Sequence, residues 1–360
     1  MKVLIRSLNR KTYSFDTWTV RLQEKEDGSK RPILVPPLTD RIVLKAIAKY
    51  VSELFKPEFK EVSDRSFAYQ KGRSVRDALI QLKRRYSKGK VILKLDIQKF
   101  FNNIDRDLVC SLLEKKIDKS DYILTLIRES LSPRIDFTEI GDEASITDFD
   151  RNGIPQGNPV SPILSNLYLY DFDVKMKKEN HTMIRYADDM VFVLDSVEEA
   201  RKLASDISEY LMSSRRLTFH PIESIPDAKS CILSDLKKTR LTFLGVEFDG
   251  EKLLPTSSRI DGLMIKVSSI LREKQQVGEK LKQLNTALSQ WCGYYAFMDI
   301  TDCKLKNLSS KIIQKAKHSG ITITAHIDLV ETMHSARKRQ RSKIFPRPKI
   351  KGDISWLLSY

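Results

Sequence analysis

Three aspartates in this chain of 360 residues stand where apolar strand sequence would otherwise continue. Asp96 ends the run VILKLD, whereas Asp188 and Asp189 interrupt the two apolar runs of TMIRYADDMVFVL. An unpaired carboxylate is costly to remove from water, and two adjacent carboxylates also repel each other. Divalent cations would neutralise such a group, and two magnesium ions ~3.5–4 Å apart can activate a hydroxyl and stabilise a pyrophosphate leaving group. The alternative for Asp188 and Asp189 alone is an ordinary turn without metal.

A loop between these acidic sites has the sequence GIPQGNPVSP, over residues 153–162. Its two glycines and three prolines favour an irregular segment that opens a helix, where backbone N–H groups can meet a phosphate or a base. Those residues are also typical of a plain helix-start loop. Gln156 has no capping duty between Pro155 and Gly157, so it is the candidate binding residue of the loop.

The elements that would position these residues follow from the hydrophobic pattern. Residues 91–97 are typical of a buried strand, and residues 182–194 predict a hairpin around the aspartate pair. A second hairpin is predicted to turn at Asp27 and Gly28, and residues 241–248 resemble strand sequence. Helices are predicted over 39–55, 74–85, 106–116, 121–130, 161–178 and 197–214, and mainly helical, basic sequence over 259–317. This mixture predicts the α+β fold class.

The charge balance favours a polyanionic partner. Lysine and arginine number 63 against 47 aspartates and glutamates, which gives a formal net charge of +16. Basic residues that contact phosphates release condensed counterions, so nucleic acid is the preferred interpretation, with a solubilising or membrane-facing surface as the alternative. The four cysteines form no CxxC pair, and no run reaches the ~18 apolar residues of a membrane span. The sequence therefore predicts a cytoplasmic protein without a membrane partner.

Several segments, in a fixed order, resemble motifs of the reverse transcriptase family. DIQKFF from residue 96, GIPQGNPVSP from 153, RYADD from 185 and FLGVEF from 243 are similar to four successive palm motifs. Upstream, RPILVPPLTDRIVLKAIAKYV and SFAYQKGRSVRDAL resemble the finger motifs of the group-II-intron-like bacterial branch, and LNTALSQWCGYY resembles its thumb. The resemblance covers about residues 28–300, and the order of the motifs makes it specific.

The resemblance implies roles for particular residues. Asp96, Asp188 and Asp189 would be catalytic ligands of two Mg²⁺ ions, with the Ile97 carbonyl assisting. Phe101 would stack under the deoxyribose and exclude a 2′-hydroxyl; a core phenylalanine is the alternative, which suits its neighbour Phe100 better. Nucleotide-binding roles fall on Arg31, Arg41, Gln156 and Lys229, and the primer-grip turn on Leu244 and Gly245. Both arginines have an alternative as plain surface charges.

The implied architecture is a right-hand polymerase fold. Its expected parts are fingers over 1–95, a palm over 96–257 that includes finger and palm helices at 106–152, a helical thumb over 258–320 and a basic tail over 321–360. The tail would bind RNA or form a solvated end.

The implied function is that of an RNA-directed DNA polymerase. Its partners would be an RNA template, specifically a dedicated non-coding RNA, a DNA primer or product, and dNTPs; a stand-alone enzyme, with a role in phage defence, is the expected setting. A group II intron-type maturase or RNA-binding protein is one alternative. An RNA-dependent RNA polymerase is another, although it would need a small or polar residue at Phe101. The primer would be a nucleic-acid 3′ end, with the Tyr360 hydroxyl as a less favoured source.

Overall fold

The computed structural model describes residues 2–24, 30–138, 153–223, 225, 227–319 and 328–341. The chain divides into two compact units, Met1–Leu244 and Gly245–Tyr360. Both helices and strands are abundant, so the α+β prediction is confirmed.

The first unit holds most of the secondary structure. In chain order its elements are α1 (Lys2–Asn9), β1 (Trp18–Glu24), β2 (Lys30–Val35), α2 (Leu38–Leu54), α3 (Lys56–Glu61), α4 (Val75–Arg85), β3 (Val91–Asp96), α5 (Phe100–Asn103), α6 (Arg106–Leu113), α7 (Tyr122–Leu131), β4 (Ile135–Asp136), α8 (Ser161–Tyr168), α9 (Tyr170–Lys178), β5 (Thr182–Tyr186), β6 (Asp189–Leu194), α10 (Val197–Arg215), β7 (Ile222–Glu223), β8 (Ser230–Leu233) and β9 (Leu241–Phe243). Apart from the helix predicted over 161–178, the helices predicted from the pattern in this unit are present, within a few residues at each end.

A five-stranded sheet with the strand order β5-β6-β3-β8-β7 forms the centre of this unit. All six residues of β3 are buried, as its continuous apolar run predicts. It pairs antiparallel with β6 on one side and with β8 on the other. Because hydrogen bonds fix β3 on both sides, the register of the ladder determines which residues meet at the end of the strand.

The predicted hairpin near the start of the chain is also present. Strands β1 and β2 pair antiparallel from Thr19 opposite Val35 to Glu24 opposite Lys30. Its predicted turn at Asp27 and Gly28 lies outside the described residues. Strand β4 adds to β1 in the parallel direction, completing a three-stranded sheet.

The single helix predicted over 161–178 is wrong, because two helices cover this range. The chain breaks at Leu169, where φ is −96° and ψ is 2°. Both Tyr168 and Leu169 are fully buried at the break. Helix propensity alone gives no stop signal here, so tertiary burial decides the boundary. The second helix, α9, then carries the buried Asp173.

The second unit is mainly helical. Its described elements are β10 (Val246–Phe248), β11 (Leu253–Pro255), α11 (Ser257–Arg272), α12 (Val277–Tyr295), α13 (Asp302–His318) and α14 (Leu329–Arg341). Helix α12 packs against α11 and α14, and α13 also packs against both. Helix α14 lies within the predicted basic tail, and its Arg337 donates hydrogen bonds to the carbonyls of Ala296, Met298 and Ile300. Residues 342–360, including Tyr360, lie outside the described residues.

None of the described helices combines the length and the apolar composition that a bilayer crossing requires.

A buried carboxylate anchors the segment that leads into the β1–β2 hairpin. Asp40, only 2% exposed, accepts hydrogen bonds from the Tyr13 hydroxyl at 2.5 Å, the Trp18 indole N–H at 3.0 Å and the Asp16 backbone N–H at 3.1 Å. Burial and the hydrogen bond to Asp40 hold the pKa of the Tyr13 hydroxyl well above its usual range. This carboxylate therefore joins α2 to the chain segment ahead of β1.

We expect Asp40→Ala to lower the free energy of unfolding by about 3 kcal/mol, because it leaves a buried indole N–H and a tyrosine hydroxyl without their acceptor. Denaturant unfolding followed by circular dichroism measures the loss. The matched control is Asp16→Ala, since the Asp16 side chain is exposed and accepts only from the neighbouring Thr17 N–H among its recorded bonds. Equal losses in both variants would contradict the assignment.

Candidate active site

The three predicted aspartates meet at one end of the central sheet. Asp96 is the last residue of β3, Asp189 is the first residue of β6, and the two lie directly opposite each other in the antiparallel register. Asp188 occupies the preceding turn, where its carbonyl accepts a hydrogen bond from the Ile97 N–H at 3.4 Å. Ladder pairing thus brings together carboxylates that are about ninety residues apart in the sequence.

The electrostatics of this cluster oppose three simultaneous negative charges. Burial, reinforced by the charge of Asp96, raises the pKa of Asp188 to about 6 and that of Asp189 to about 7. Desolvation and like-charge repulsion are the physical causes, and both favour the protonated carboxyl. A cation placed among the carboxylates would remove both penalties.

Lys229 supplies one such charge. Its Nζ lies 3.2 Å from Asp96 Oδ2, and its side chain is 65% exposed. The location follows from the sheet, because β8 pairs with β3 through Cys231 opposite Lys94, and continuing that register by two residues brings Lys229 opposite Asp96. Ser230, the first residue of β8, accepts a hydrogen bond from the Asp96 N–H at 3.2 Å.

A second lysine near the cluster escaped sequence reasoning. Lys94 is 7% exposed, and its Nζ donates to the Ala228 carbonyl at 3.1 Å, next to Lys229 in the chain. Its positive charge opposes the rise in the pKa of Asp189. The available signal was a charged residue inside an otherwise apolar buried run, two positions before Asp96 and hence on the same face of the strand.

The donor chemistry fits a hard divalent cation, since carboxylate oxygens are the ligands that Mg²⁺ prefers. The raised pKa values of Asp188 and Asp189 mark a place where positive charge is needed. Across the described ranges, however, no group of three or more His, Cys, Asp and Glu side chains is arranged so that it could hold a metal ion as it stands. The cluster therefore contains carboxylates of the kind that Mg²⁺ prefers, but the Asp96 carboxylate is paired with the Lys229 ammonium.

The glutamine loop is tied to its surroundings on two sides. The Ile154 N–H donates to the Phe101 carbonyl at 2.8 Å, and the Gln156 carbonyl accepts from the Leu34 N–H at 2.8 Å. The Gln156 side chain is half-buried and donates from Nε2 to Asn102 Oδ1 at 3.2 Å. The loop therefore connects strand β2 with helix α5.

Both glycines of the loop are required by close backbone approach. A Cβ at Gly153 would lie 2.4 Å from the Asn102 backbone. A Cβ at Gly157 would lie 1.9 Å from the Leu34 carbonyl oxygen, and φ there is +106°, a conformation that glycine adopts readily. Backbone segments on either side thus pass too close for any side chain.

The two adjacent phenylalanines differ in burial. Phe100 is 2% exposed and belongs to the core, as expected from the sequence. Phe101 is only partly buried and contacts the Phe100 ring edge to face, with ring centroids 5.6 Å apart. Its side chain therefore keeps exposed surface while its carbonyl anchors Ile154.

The two arginines predicted to bind the nucleotide differ in their relation to the three carboxylates. Arg31 is exposed on β2, and its positive charge acts on the carboxyl group of Asp188, whereas the exposed Arg41 has no recorded contact with the three carboxylates.

Leu244 and Gly245 both have positive φ, 53° and 75°. The chain turns at these two residues, so the strand sequence predicted over 241–248 forms two short strands, Leu241–Phe243 and Val246–Phe248. The two residues stand where the chain passes from one compact unit to the other.

Comparison with known proteins identifies the family. A family model described as reverse transcriptase (RNA-dependent DNA polymerase) matches residues 23–248. The chain therefore belongs to the reverse transcriptase family, whose chemistry depends in general on divalent metal.

Curated relatives include proteins whose names place them in introns. The group II intron-encoded protein LtrA of Lactococcus lactis subsp. cremoris is 25% identical over 291 residues, which are 78% of this chain and 44% of that protein. An uncharacterized 91 kDa protein in the cob intron of Schizosaccharomyces pombe is 29% identical over 170 residues, 47% of this chain and 20% of that protein. The chain thus spans less than half the length of these relatives.

The fold also resembles that of telomerase. The structure of telomerase from Candida albicans in complex with a TWJ fragment of telomeric RNA superimposes with a TM-score of 0.52 at 13% identity, covering 98% of this chain and 65% of that one. The right-hand polymerase fold expected from the sequence is confirmed.

We expect Gly157→Ala to destabilise the protein more than Gly72→Ala. Both positions have positive φ, but a Cβ at Gly72 would meet no atom within 4 Å. Gly72→Ala thus measures the cost of backbone strain alone. Because of its additional clash, Gly157→Ala should lower the free energy of unfolding by about 1–3 kcal/mol more than Gly72→Ala does. Thermal or denaturant unfolding makes the comparison, and equal losses would show that the loop yields without strain.

Proposed function

We propose that this chain is an RNA-directed DNA polymerase that extends a primer by two-metal-ion nucleotidyl transfer. The observation that carries the proposal is the juxtaposition of Asp96 and Asp189 on adjacent antiparallel strands, with Asp188 in the turn before β6. That cluster lies inside the segment that matches the reverse transcriptase family.

In this proposal the carboxylates of Asp96, Asp188 and Asp189 hold two Mg²⁺ ions, with the Ile97 carbonyl as an additional ligand. When bound, the ions would activate the primer 3′-hydroxyl and stabilise the departing pyrophosphate. The Lys229 ammonium, mostly exposed and next to Asp96, would donate a proton to that pyrophosphate.

The nucleotide would be recognised by residues from three segments. Phe101 would exclude a 2′-hydroxyl, Gln156 would contact the incoming nucleotide, and Arg31 would bind its triphosphate. Support comes from the exposed part of Phe101, the hydrogen bonds that tie the Gln156 loop to α5 and β2, and the charge of Arg31 near Asp188. A triphosphate role for Arg41 and a primer grip at Leu244 and Gly245 rest on the motifs alone.

The partners in this proposal are an RNA template, a DNA primer or product, and dNTPs. The net charge of +16 supports a polyanionic ligand, and the similarity to an intron-encoded protein supports RNA. The fingers, palm and thumb would occupy 1–95, 96–257 and 258–320, with the basic tail beyond. A dedicated non-coding RNA as template, a cytoplasmic location and a role in phage defence remain predictions from the sequence.

A second candidate function is that of a maturase or other intron RNA-binding protein. It is favoured by the similarity to LtrA, which extends over 78% of this chain. The two functions are compatible in one chain, and intron RNA binding without polymerisation would separate them.

Asp188→Asn and Asp189→Asn should each reduce primer extension on an RNA template about 10³-fold or more, because each removes a charge that holds magnesium. Extension of a DNA primer on a homopolymeric RNA with one dNTP is the assay. RNA affinity, measured by filter binding, should stay unchanged.

The matched control for both variants is Asp195→Asn. Asp195 follows the far end of β6 and forms an exposed ion pair with Lys90. Its substitution should leave extension within about twofold of wild type, as is usual for surface changes. Near-normal extension by either Asp188→Asn or Asp189→Asn would overturn the catalytic assignment.

Phe101→Ala should weaken discrimination between dNTPs and rNTPs by about tenfold or more, because the missing ring no longer clashes with a 2′-hydroxyl. Competition between the two nucleotides in single-nucleotide extension measures the ratio. Phe101→Tyr keeps the bulk and is the control. If selectivity is the same in all three proteins, Phe101 serves only to pack against Phe100.

A further inference from the structure

A fully buried arginine lies three residues before Asp188. Arg185 on β5 is 1% exposed, and its partner Asp173 on α9 is 0% exposed. The guanidinium meets the carboxylate in a bidentate pair, through Nε to Oδ1 at 2.7 Å and Nη2 to Oδ2. Such a planar fork can be formed by arginine and not by lysine.

The other hydrogen bonds of the guanidinium connect separate parts of the first unit. Nη2 donates to Ser66 Oγ at 2.9 Å, and Nη1 donates to Asn166 Oδ1 at 3.3 Å. Nη1 also donates to the Ala187 carbonyl at 2.8 Å. With the bidentate pair, these contacts use all five N–H donors that a guanidinium possesses.

The bond to Ala187 acts on the turn that carries Asp188. Ala187 has a φ of +59°, a left-handed conformation that costs a non-glycine residue about 1–2 kcal/mol. Its carbonyl belongs to the peptide group that leads into Asp188. On the far side of that residue, the Asp188 carbonyl accepts from the Ile97 N–H. The turn is therefore held at one end by Arg185 and at the other by β3.

The Arg185 backbone is fixed as well. Its N–H donates to the Arg65 carbonyl at 2.7 Å, and its carbonyl accepts from the Phe67 N–H at 3.0 Å. A buried ion pair is often no more stabilising than apolar side chains of similar volume. The ion pair between Arg185 and Asp173 instead fixes a geometry, because it holds in place the guanidinium that donates to the Ala187 carbonyl.

We propose that Arg185 is a positioning residue for the metal site: anchored by Asp173, Asn166 and Ser66, it fixes the Ala187–Asp188 turn so that the Asp188 carboxylate is presented for metal binding. This inference rests on the proposed function. Groups that orient metal ligands typically change metal affinity by about 10–100-fold when they are removed.

A matched control is available on α10, where Arg215 also pairs with an aspartate of α9. Arg215 is 7% exposed, forms an ion pair with Asp171 at 2.8 Å, and donates to the Tyr168 carbonyl at 2.7 Å. Its third partner is the Ser214 carbonyl. Arg215 thus resembles Arg185 in burial and in joining α9 to its neighbours, but its bonds do not reach the Asp188 turn.

The test compares Arg185→Lys with Arg215→Lys in the full chain. Mn²⁺ binding is measured directly by electron paramagnetic resonance of the free ion, without turnover, and the melting temperature is recorded in parallel. Arg185→Lys should bind Mn²⁺ about 10–100-fold more weakly, while Arg215→Lys binds as wild type does. The Mg²⁺ concentration for half-maximal primer extension should rise by a similar factor in Arg185→Lys only.

A second variant tests the same inference if the first one does not fold. If Arg185→Lys fails to fold, Asp173→Asn replaces it, because it keeps the size of the anchor but removes its charge and one of the two oxygens that accept from the guanidinium. Its Mn²⁺ affinity should fall in the same direction. Unchanged Mn²⁺ affinity, or equal losses in the Arg185 and Arg215 variants, would overturn the positioning role. So would a wild-type protein that binds no Mn²⁺. A wild type that binds Mn²⁺ and makes no DNA would instead overturn the polymerase assignment alone.

Discussion

The concentration of negative charge at one end of β3 is the constraint on which the site depends. Asp96 and Asp189 are held opposite each other by the ladder, and Asp188 is held by the turn, so the carboxylates are not free to separate. Burial then prevents water from screening them, which is why the pKa values of Asp188 and Asp189 rise. Two positive charges oppose this rise: Lys229 pairs with Asp96, and the charge of the buried Lys94 acts on Asp189.

The residues proposed to surround the nucleotide depend on a different constraint, the close approach of three backbone segments. The Gln156 loop is bonded to Phe101 on one side and to Leu34 on the other. Glycine at 157 is what permits that contact, because any side chain there would overlap the Leu34 carbonyl. Arg31 lies on the same strand as Leu34, so the loop couples the position of this charge to that of the Phe101 ring. Backbone hydrogen bonds thus join the three segments into one support for the proposed nucleotide site.

Features with a local signal could be predicted from the sequence. The apolar run of β3 located Asp96, and the alternation around RYADD located the hairpin. Helix α4 begins after Ser74, whose hydroxyl caps it by accepting from the Asp77 N–H. The break at Leu169 had no such signal, because nothing in the local sequence opposes a continuous helix there. Lys94 was missed although it is a charged residue inside an apolar run, because the run alone does not show which groups its side chain meets.

The anchoring of the Asp188 turn shows most clearly what only the folded chain reveals. Arg185 and Asp173 are twelve residues apart and lie on different elements, so no spacing rule links them. Compared with a glycine at this position, Ala187 leaves the unfolded chain fewer conformations. It also makes the left-handed conformation found in the folded turn more costly. A residue kept in such a conformation persists where its surroundings over-determine it. Here those surroundings are the guanidinium and its partners on α8, on α9 and at Ser66. In the positioning role proposed for Arg185, the geometry at Asp188 therefore depends on how these helices pack.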